Sequence, residues 1–387
     1  MRIVILLLVL FLPGANALSQ LIHIGLLRTT PPTAIWLTSF KGPYTLTGDT
    51  SCLDNLVSTD AIKFEATQDG MIKVSGPIRY YGKFAKVWIT GNDTLSEIKM
   101  KAVGSQREKA FFGDFVLTNT NNTVTIINEI NIDEYIAAVV ESESGIGHTL
   151  EYYKVQTIIS RTYAMSNSFK HLEDDGFNLC DNTHCQAYKN KGRSNPVIMA
   201  AVKATTGIVM VDDSLALVST TFHSNCGGQT AASEQVWTKP VPYLRSVYDS
   251  YCRKSLNAVW RKEIPVSDWL AYFSNQHGIK SDNAETKKAL LAYSSNHRKT
   301  YMPCNGKSVA FRTLRADWGL KSAFFTVQQV GENVVLSGRG FGHGVGLCQE
   351  GAMKMAKAGK TYREILMHYF TGVHIVNLSE IKFYAEE

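Results

Sequence analysis

From Leu21 to about Ile130 apolar and polar residues alternate in short runs, namely Leu21–Leu27, Ala34–Phe40, Tyr44–Thr47, Ile62–Ala66, Met71–Ser75, Lys86–Thr90 and Val124–Ile127. Glycine and Asx residues break the runs, as in Gln68-Asp69-Gly70 and Gly91-Asn92-Asp93. A period of two bounded by turn residues predicts antiparallel strands. Few helical periods interrupt them, so residues 18–130 read as a β-rich N-terminal domain, a sheet or sandwich serving as a scaffold or binding module.

The period changes at Asn131. Asp133–Val140 predicts a short helix with Asn131 or Asp133 as N-cap. A longer helix opens at Thr149-Leu150-Glu151, with Thr149 capping and Glu151 in the first turn. Its apolar stripe is Val155, Ile158, Ile159, Thr162 and Phe169. Lys154 and Arg161 lie about two turns apart and share a face beside that stripe. Further on, Asn195–Thr205 reads as a helix, and Gly207–Val211 with Ala216–Phe222 as a hairpin around Asp212-Asp213-Ser214. Residues 256–325 are more polar and partly helical, as in Ser267–His277 and Asn283–Tyr293, and read as an inserted subdomain. Val334–Leu336 predicts a strand, Gly338–Gly346 a glycine-rich loop and Gln349–Ala358 a helix. The fold class is α+β: the β-rich region, then a mixed α/β domain over 131–255 and 326–387 interrupted by the insertion.

At 387 residues the chain is long enough for two cores. A formal net charge of +6 and a pI near 8.8 are mildly basic, but the cations are scattered. With no arginine-rich run, zinc-finger array or aromatic sheet motif, the pattern excludes nucleic acid as a partner. The first 17 residues have one positive charge, a short apolar core, Pro13-Gly14 and the small-x-small site Ala15-Asn16-Ala17. That order predicts a signal peptide cleaved after Ala17 and an exported mature chain in the periplasm or cell envelope. An uncleaved anchor is the alternative, although the apolar run is shorter than the roughly 20 residues that span a bilayer. No later segment is apolar enough to span. Seven cysteines, Cys52, Cys180, Cys185, Cys226, Cys252, Cys304 and Cys348, make an odd number for an exported protein.

Five segments in order carry a resemblance. They are Tyr135…Ser142-Glu143, the helix Lys154–Ala164, Cys180-Asp-Asn-Thr-His184-Cys185-Gln-Ala-Tyr188, His223-Ser-Asn-Cys226-Gly-Gly-Gln-Thr230, and Gly338-Arg-Gly-Phe-Gly-His343-Gly-Val-Gly-Leu-Cys348-Gln349-Glu-Gly-Ala352. Together they resemble the SpoIID/LytB family, that of the stage II sporulation protein D, across most of the chain beyond residue 130. The resemblance implies a lytic transglycosylase of peptidoglycan that prefers glycan strands stripped of stem peptides, with some members acting as enhancers of a cell-wall amidase. It matches Glu143 to the family's catalytic glutamate. One carboxyl suffices for that reaction, because the 6-hydroxyl of the muramic acid is the nucleophile; an ordinary glycosidase needs a carboxylate pair. The chain departs from the family's usual Pro-Ser-Glu-Met in having Glu141-Ser142-Glu143-Ser144. The extra Glu141 either raises the pKa of Glu143 by like-charge repulsion or points elsewhere.

Lys154 and Arg161 match helix positions in the motif, where a cationic face pairs with lactyl carboxylates of stripped glycan; the alternative is that both merely solvate the helix. Cys180, His184 and Cys185 are zinc-type ligands, and the resemblance implies structural zinc in this loop. Cys226, Cys252 and His171 are the candidates to complete it, against a Cys226–Cys252 disulfide. His223, His343 and Gln349 are expected along the sugar groove, with Tyr135, Tyr163, Tyr188 and Trp237 as stacking candidates. The glycine run fits no G-x-G-x-x-G/A register, which excludes a dinucleotide site. Two rivals to the lytic enzyme stand: a non-catalytic enhancer of an amidase, and a zinc hydrolase, which an open metal position would favour.

Overall fold

The computed structural model describes residues 20–93, 96–189, 195–237 and 239–380. The expected signal peptide lies outside the described residues. The chain divides into two compact units, Met1–Tyr135 and Ile136–Glu387.

Among the described residues, the first unit is built of β-strands up to Asn131. Its strands are β1 (Leu21–Leu26), β2 (Ala34–Lys41), β3 (Tyr44–Gly48), β4 (Ser51–Leu56), β5 (Ala61–Ala66), β6 (Ile72–Ser75), β7 (Tyr80–Phe84), β8 (Lys86–Gly91), β9 (Glu97–Ala102), β10 (Lys109–Phe112), β11 (Asp114–Thr120) and β12 (Thr123–Asn131). They form two antiparallel sheets, ordered β1-β12-β11-β8-β3-β4 and β10-β9-β2-β5-β6-β7. Alternation sets the inner faces: Tyr44 and Leu46 on β3, Ile62 and Phe64 on β5, Ile98 and Met100 on β9 are buried, and β5 touches both β11 and β12. The result is a sandwich.

Helix α1 (Ile132–Ser144) crosses the unit boundary. Asn131 is its cap, accepting from the Asp133 N–H at 2.8 Å. It runs four residues past the expected Val140. The polar series Glu141-Ser142-Glu143-Ser144 hides the helical period, but Ser142 Oγ bonds back to the Ala138 carbonyl at 2.7 Å and Gly145, at φ +72°, closes the turn. Helix α2 (Leu150–Ser166) begins at Thr149, as expected, and is buried nearly all round. That makes it the axis of the second unit. It ends three residues before Phe169, which is therefore exposed rather than part of the stripe.

Around α2 pack α4 (Pro196–Ala204), β14 (Ile208–Val211), α8 (Gln349–Lys357) and α9 (Tyr362–Tyr369). The chain between α2 and α4 holds the short α3 (Leu172–Asp175) and β13 (Leu179–Cys180). The expected hairpin after β14 is reduced to a Val211–Leu217 bridge; β14 pairs instead with β23 (His374–Asn377). Strand β15 (Phe222–His223) pairs in parallel with β22 (Leu347–Cys348).

A separate apolar cluster lies in the later part of this unit. Strands β16 (Val259–Pro265), β17 (Ala292–Tyr293), β20 (Phe325–Val330) and β21 (Asn333–Arg339) make a sheet ordered β16-β21-β20-β17. Against it lie α5 (Val266–His277), α6 (Ala284–Leu291), the hairpin β18 (Tyr301–Cys304) with β19 (Lys307–Ala310), and α7 (Phe311–Asp317). Trp269, Phe273, Leu290, Leu314 and Leu336 are its buried centre. The cluster runs to Leu336, beyond residue 325, because β20 and β21 supply the middle strands.

Candidate functional site

Glu143 sits in the last turn of α1, just over half a helix turn from the chain reversal at Gly145. Its side chain is half-buried, and its Oε1 accepts the Ala187 backbone N–H at 2.8 Å. Burial raises its carboxyl above the ordinary value; the Ala187 bond and the charge of Lys189 oppose this without reversing it. Glu141 is not among the causes. Two residues apart on a helix, the two glutamates point to different sides, and Glu141 acts on Tyr153 instead.

The loop that supplies Ala187 is fixed on both sides of that residue. Tyr188 N–H bonds to the Asp181 carbonyl, and Lys189 N–H to Ser142 Oγ at 3.0 Å. Behind the α1 terminus, Tyr152 donates to Ser144 Oγ at 3.2 Å and the His148 Nε2–H reaches the Ser144 carbonyl at 2.9 Å.

Gln349 is buried at the first turn of α8 and donates from Nε2 to the Glu143 carbonyl at 3.3 Å. Its neighbour Cys348 pairs with His223 across β15 and β22. His223 Nδ1–H donates to the Val345 carbonyl at 3.1 Å, and the Val345 N–H donates to His343 Nδ1 at 3.1 Å. His343 Nε2–H completes the set on the Phe222 carbonyl at 2.9 Å. The two rings lie 5.5 Å apart, with Trp237 5.4 Å from His343. This bonding defines a neutral His343 ring, with Nδ1 accepting and Nε2–H donating, and places a proton on His223 Nδ1. Burial agrees, lowering the His343 pKa to about 4 and that of His223 well below 6.5. His223 Nε2 is left as a buried acceptor with no hydrogen-bond partner among the described residues.

Glu143, Gln349, His223 and His343 are thus joined through short links, with Trp237 exposed beside them. Arg161 is not. It is 2 % exposed and donates to the Thr205 carbonyl at 2.6 Å and the Ile208 carbonyl at 3.3 Å, tying α2 to the α4–β14 connection. A guanidinium so committed cannot reach a glycan. Lys154 is spoken for as well: its Nζ pairs with Glu151 at 2.6 Å and lies 5.7 Å from the Tyr362 ring centre, while the other Glu151 oxygen caps the Tyr362 N–H. Both cations hold the α2 packing. Of the aromatic candidates, Tyr135 and Tyr188 are core and Tyr163 is half-buried.

Cys180, His184 and Cys185 converge with His171, and one donor atom from each falls within 4.8 Å of every other. The sulfur–nitrogen separations are 3.5 Å for Cys185–His171, 3.7 Å for Cys180–His184 and 3.8 Å for Cys185–His184. Tetrahedral zinc with ordinary bond lengths requires about 3.5 Å. His171 directs Nε2 inward while Nδ1–H bonds to Asp175 at 2.8 Å, the orienting contact common behind metal-binding histidines. The residues fit zinc. Cys226 does not join them. It lies with Asp249, Cys252 and Cys348 in a second, fully buried group, because β15 carries it beneath α8, away from the loop. Sequence reasoning passed over Asp249 and Cys348 as ligands and the Ala187 N–H as a partner for Glu143. Only the Asp249-x-x-Cys252 spacing hinted at the first of these.

A family model described as SpoIID, stage II sporulation protein, matches residues 120–211, which include α1, α2 and the Cys180–Cys185 loop. Stage II sporulation protein D of Bacillus subtilis (strain 168) is 29% identical over 311 residues, covering 76% of this chain and 88% of that protein. Its namesake in Bacillus amyloliquefaciens is 29% identical over 265 residues, 64% of this chain and 75% of that one. An amidase enhancer of Bacillus subtilis (strain 168) is 25% identical over 292 residues, 62% of this chain and 40% of that protein.

Proposed function

We propose that this chain, which belongs to the SpoIID/LytB family and so has a cell-wall-related role, is an exported lytic transglycosylase of peptidoglycan acting on glycan strands stripped of stem peptides. The observation that carries the reading is Glu143: a half-buried carboxyl with a raised pKa, aimed by one backbone N–H. Such a group keeps its proton nearer neutrality than a solvated glutamate does.

Glu143 gives that proton to the oxygen bridging N-acetylmuramic acid and N-acetylglucosamine. The C1–O bond breaks, with the proton completing the leaving hydroxyl. The muramic acid's 6-oxygen bonds to C1, and its proton returns to the Glu143 carboxylate. The acid is restored and no water is consumed. His223 Nε2 offers an acceptor for a sugar hydroxyl, Trp237 an exposed ring for a sugar face, and Gln349 holds the backbone beneath the acid. Zinc held by His171, Cys180, His184 and Cys185 would be closed by four protein ligands. It would brace the loop that presents the Ala187 N–H, which disfavours the zinc-hydrolase reading.

The likeness to an amidase enhancer favours a second reading, stimulation of a cell-wall amidase. One comparison separates the two. Stripped glycan incubated with the protein should yield 1,6-anhydro ends by mass spectrometry, and Glu143→Gln, folded by circular dichroism, should abolish them. Amidase stimulation that survives Glu143→Gln, with no anhydro product from either form, would replace the enzyme by the enhancer.

A further inference from the structure

Cys226, Asp249, Cys252 and Cys348 are each fully buried, and one donor atom from each lies within 4.8 Å of every other. We propose that they form a second metal site, holding a thiophilic divalent cation, zinc foremost, beneath the N-terminus of α8. The proposal is independent of the catalytic reading.

Three chain segments bring the donors together: the residues after β15, the stretch from Asp249 into the 3-10 turn Tyr251–Lys254, and the end of β22. Cys226 Sγ is 3.3 Å from Cys252 Sγ and 3.3 Å from Asp249 Oδ2. Tetrahedral zinc with three sulfurs and one oxygen requires sulfur–sulfur separations of about 3.8 Å and sulfur–oxygen separations of about 3.5 Å, so the donors need to spread by about half an ångström or less. Soft thiolates with one carboxylate select zinc over calcium or magnesium.

The surroundings are those of a ligand set. Cys348 Sγ accepts the backbone N–H groups of Cys226 at 3.2 Å and Gly351 at 3.4 Å, the latter at the first turn of α8. Asp249 is oriented at both oxygens: Oδ1 accepts the Tyr251 N–H at 2.8 Å, and Oδ2 the Tyr369 hydroxyl at 2.9 Å. The buried guanidinium of Arg298 donates to the Cys226 carbonyl at 2.7 Å, supplying nearby positive charge. A side chain at 351 would collide with Asp249 and Tyr369, so glycine there keeps α8 pressed on the site. Thiolates and a carboxylate sharing one dry pocket are costly unless a cation lies among them.

Metal counting by native mass spectrometry on full-length protein purified without chelators tests the site, using Cys180→Ser/Cys185→Ser to remove the loop site. That double variant should retain one zinc ion per chain, and adding Cys348→Ser should remove it. Zero ions in the double variant would overturn the proposal. So would a Cys226–Cys252 disulfide in peptide maps of unreduced, alkylated wild-type protein, a measurement that needs no core variant and stands even where Cys348→Ser fails to fold.

Discussion

Arg161 and Lys154 are two cations on one helix, and burial gives each a different prediction. Arg161 satisfies two carbonyls in a dry interior. Arg161→Ala strands them, and urea unfolding should show a loss on the order of 2–4 kcal/mol. Lys154 belongs to a partly exposed ion pair, so Lys154→Ala should cost less than about 1 kcal/mol and leave turnover on stripped glycan nearly unchanged. A large fall in turnover with unaltered stability would return Lys154 to the substrate. Their seven-residue spacing was legible in the sequence, and it did fix a shared side of α2. What it did not contain was the depth of that side, which depends on α4, β14 and α9 arriving from elsewhere in the chain. Glu143 was legible as a motif position near a helix end, but its setting was not, because the Ala187 N–H and Gln349 reach it from distant parts of the chain.

At the scale of elements, the termination of α1 decides where Glu143 points. Gly145 holds φ +72° and its N–H bonds to the Glu141 carbonyl at 2.9 Å; a methyl there would meet nothing within 4 Å. Gly145→Ala therefore isolates conformational cost, about 1 kcal/mol by thermal or urea unfolding. If the cap also aims the acid, kcat on stripped glycan should fall more than KM changes; equal kinetics would show that Ala187 alone aims it. The strands with clean alternation, β3 and β5 among them, were readable. Strands β4, β7 and β10 were not, because their burial barely alternates. The glycine run was readable as a loop but not in its purpose. Gly340 at φ +83° lies against the Asn225 carbonyl and Gly346 at φ +70° against that of Thr221. These glycines let the loop thread between the β15 segment and its neighbours, a crowding that only the assembled fold creates.

For the whole molecule, acid and base act on this site from opposite directions. The Glu143 pKa is raised in the fold, so its contribution to stability is complete below the unfolded carboxyl value and is lost as pH rises through the folded one. His343 is depressed to about 4, so the contribution of its neutral ring is present above about 6.5 and is lost as pH falls from there toward 4. That fall corresponds to at most roughly 3 kcal/mol. His223, displaced in the same direction, adds to the acid-side loss. Between the unfolded carboxyl value and about 6.5 the Glu143 and His343 contributions therefore oppose each other. Urea midpoints at pH 4.5, 6.5 and 8 for wild type, Glu143→Gln and His343→Gln separate the contributions, since protonation of the cysteine sites is common to all three and cancels in the differences. Glu143→Gln should gain on wild type as pH rises. His343→Gln, which gives up the bonds to Val345 and Phe222, should be weaker at pH 8 yet lose less on acidification. Parallel curves for wild type and His343→Gln would mean that the ring titrates in the fold as it does in the unfolded chain, and the neutral ring held between Val345 and Phe222 would be overturned.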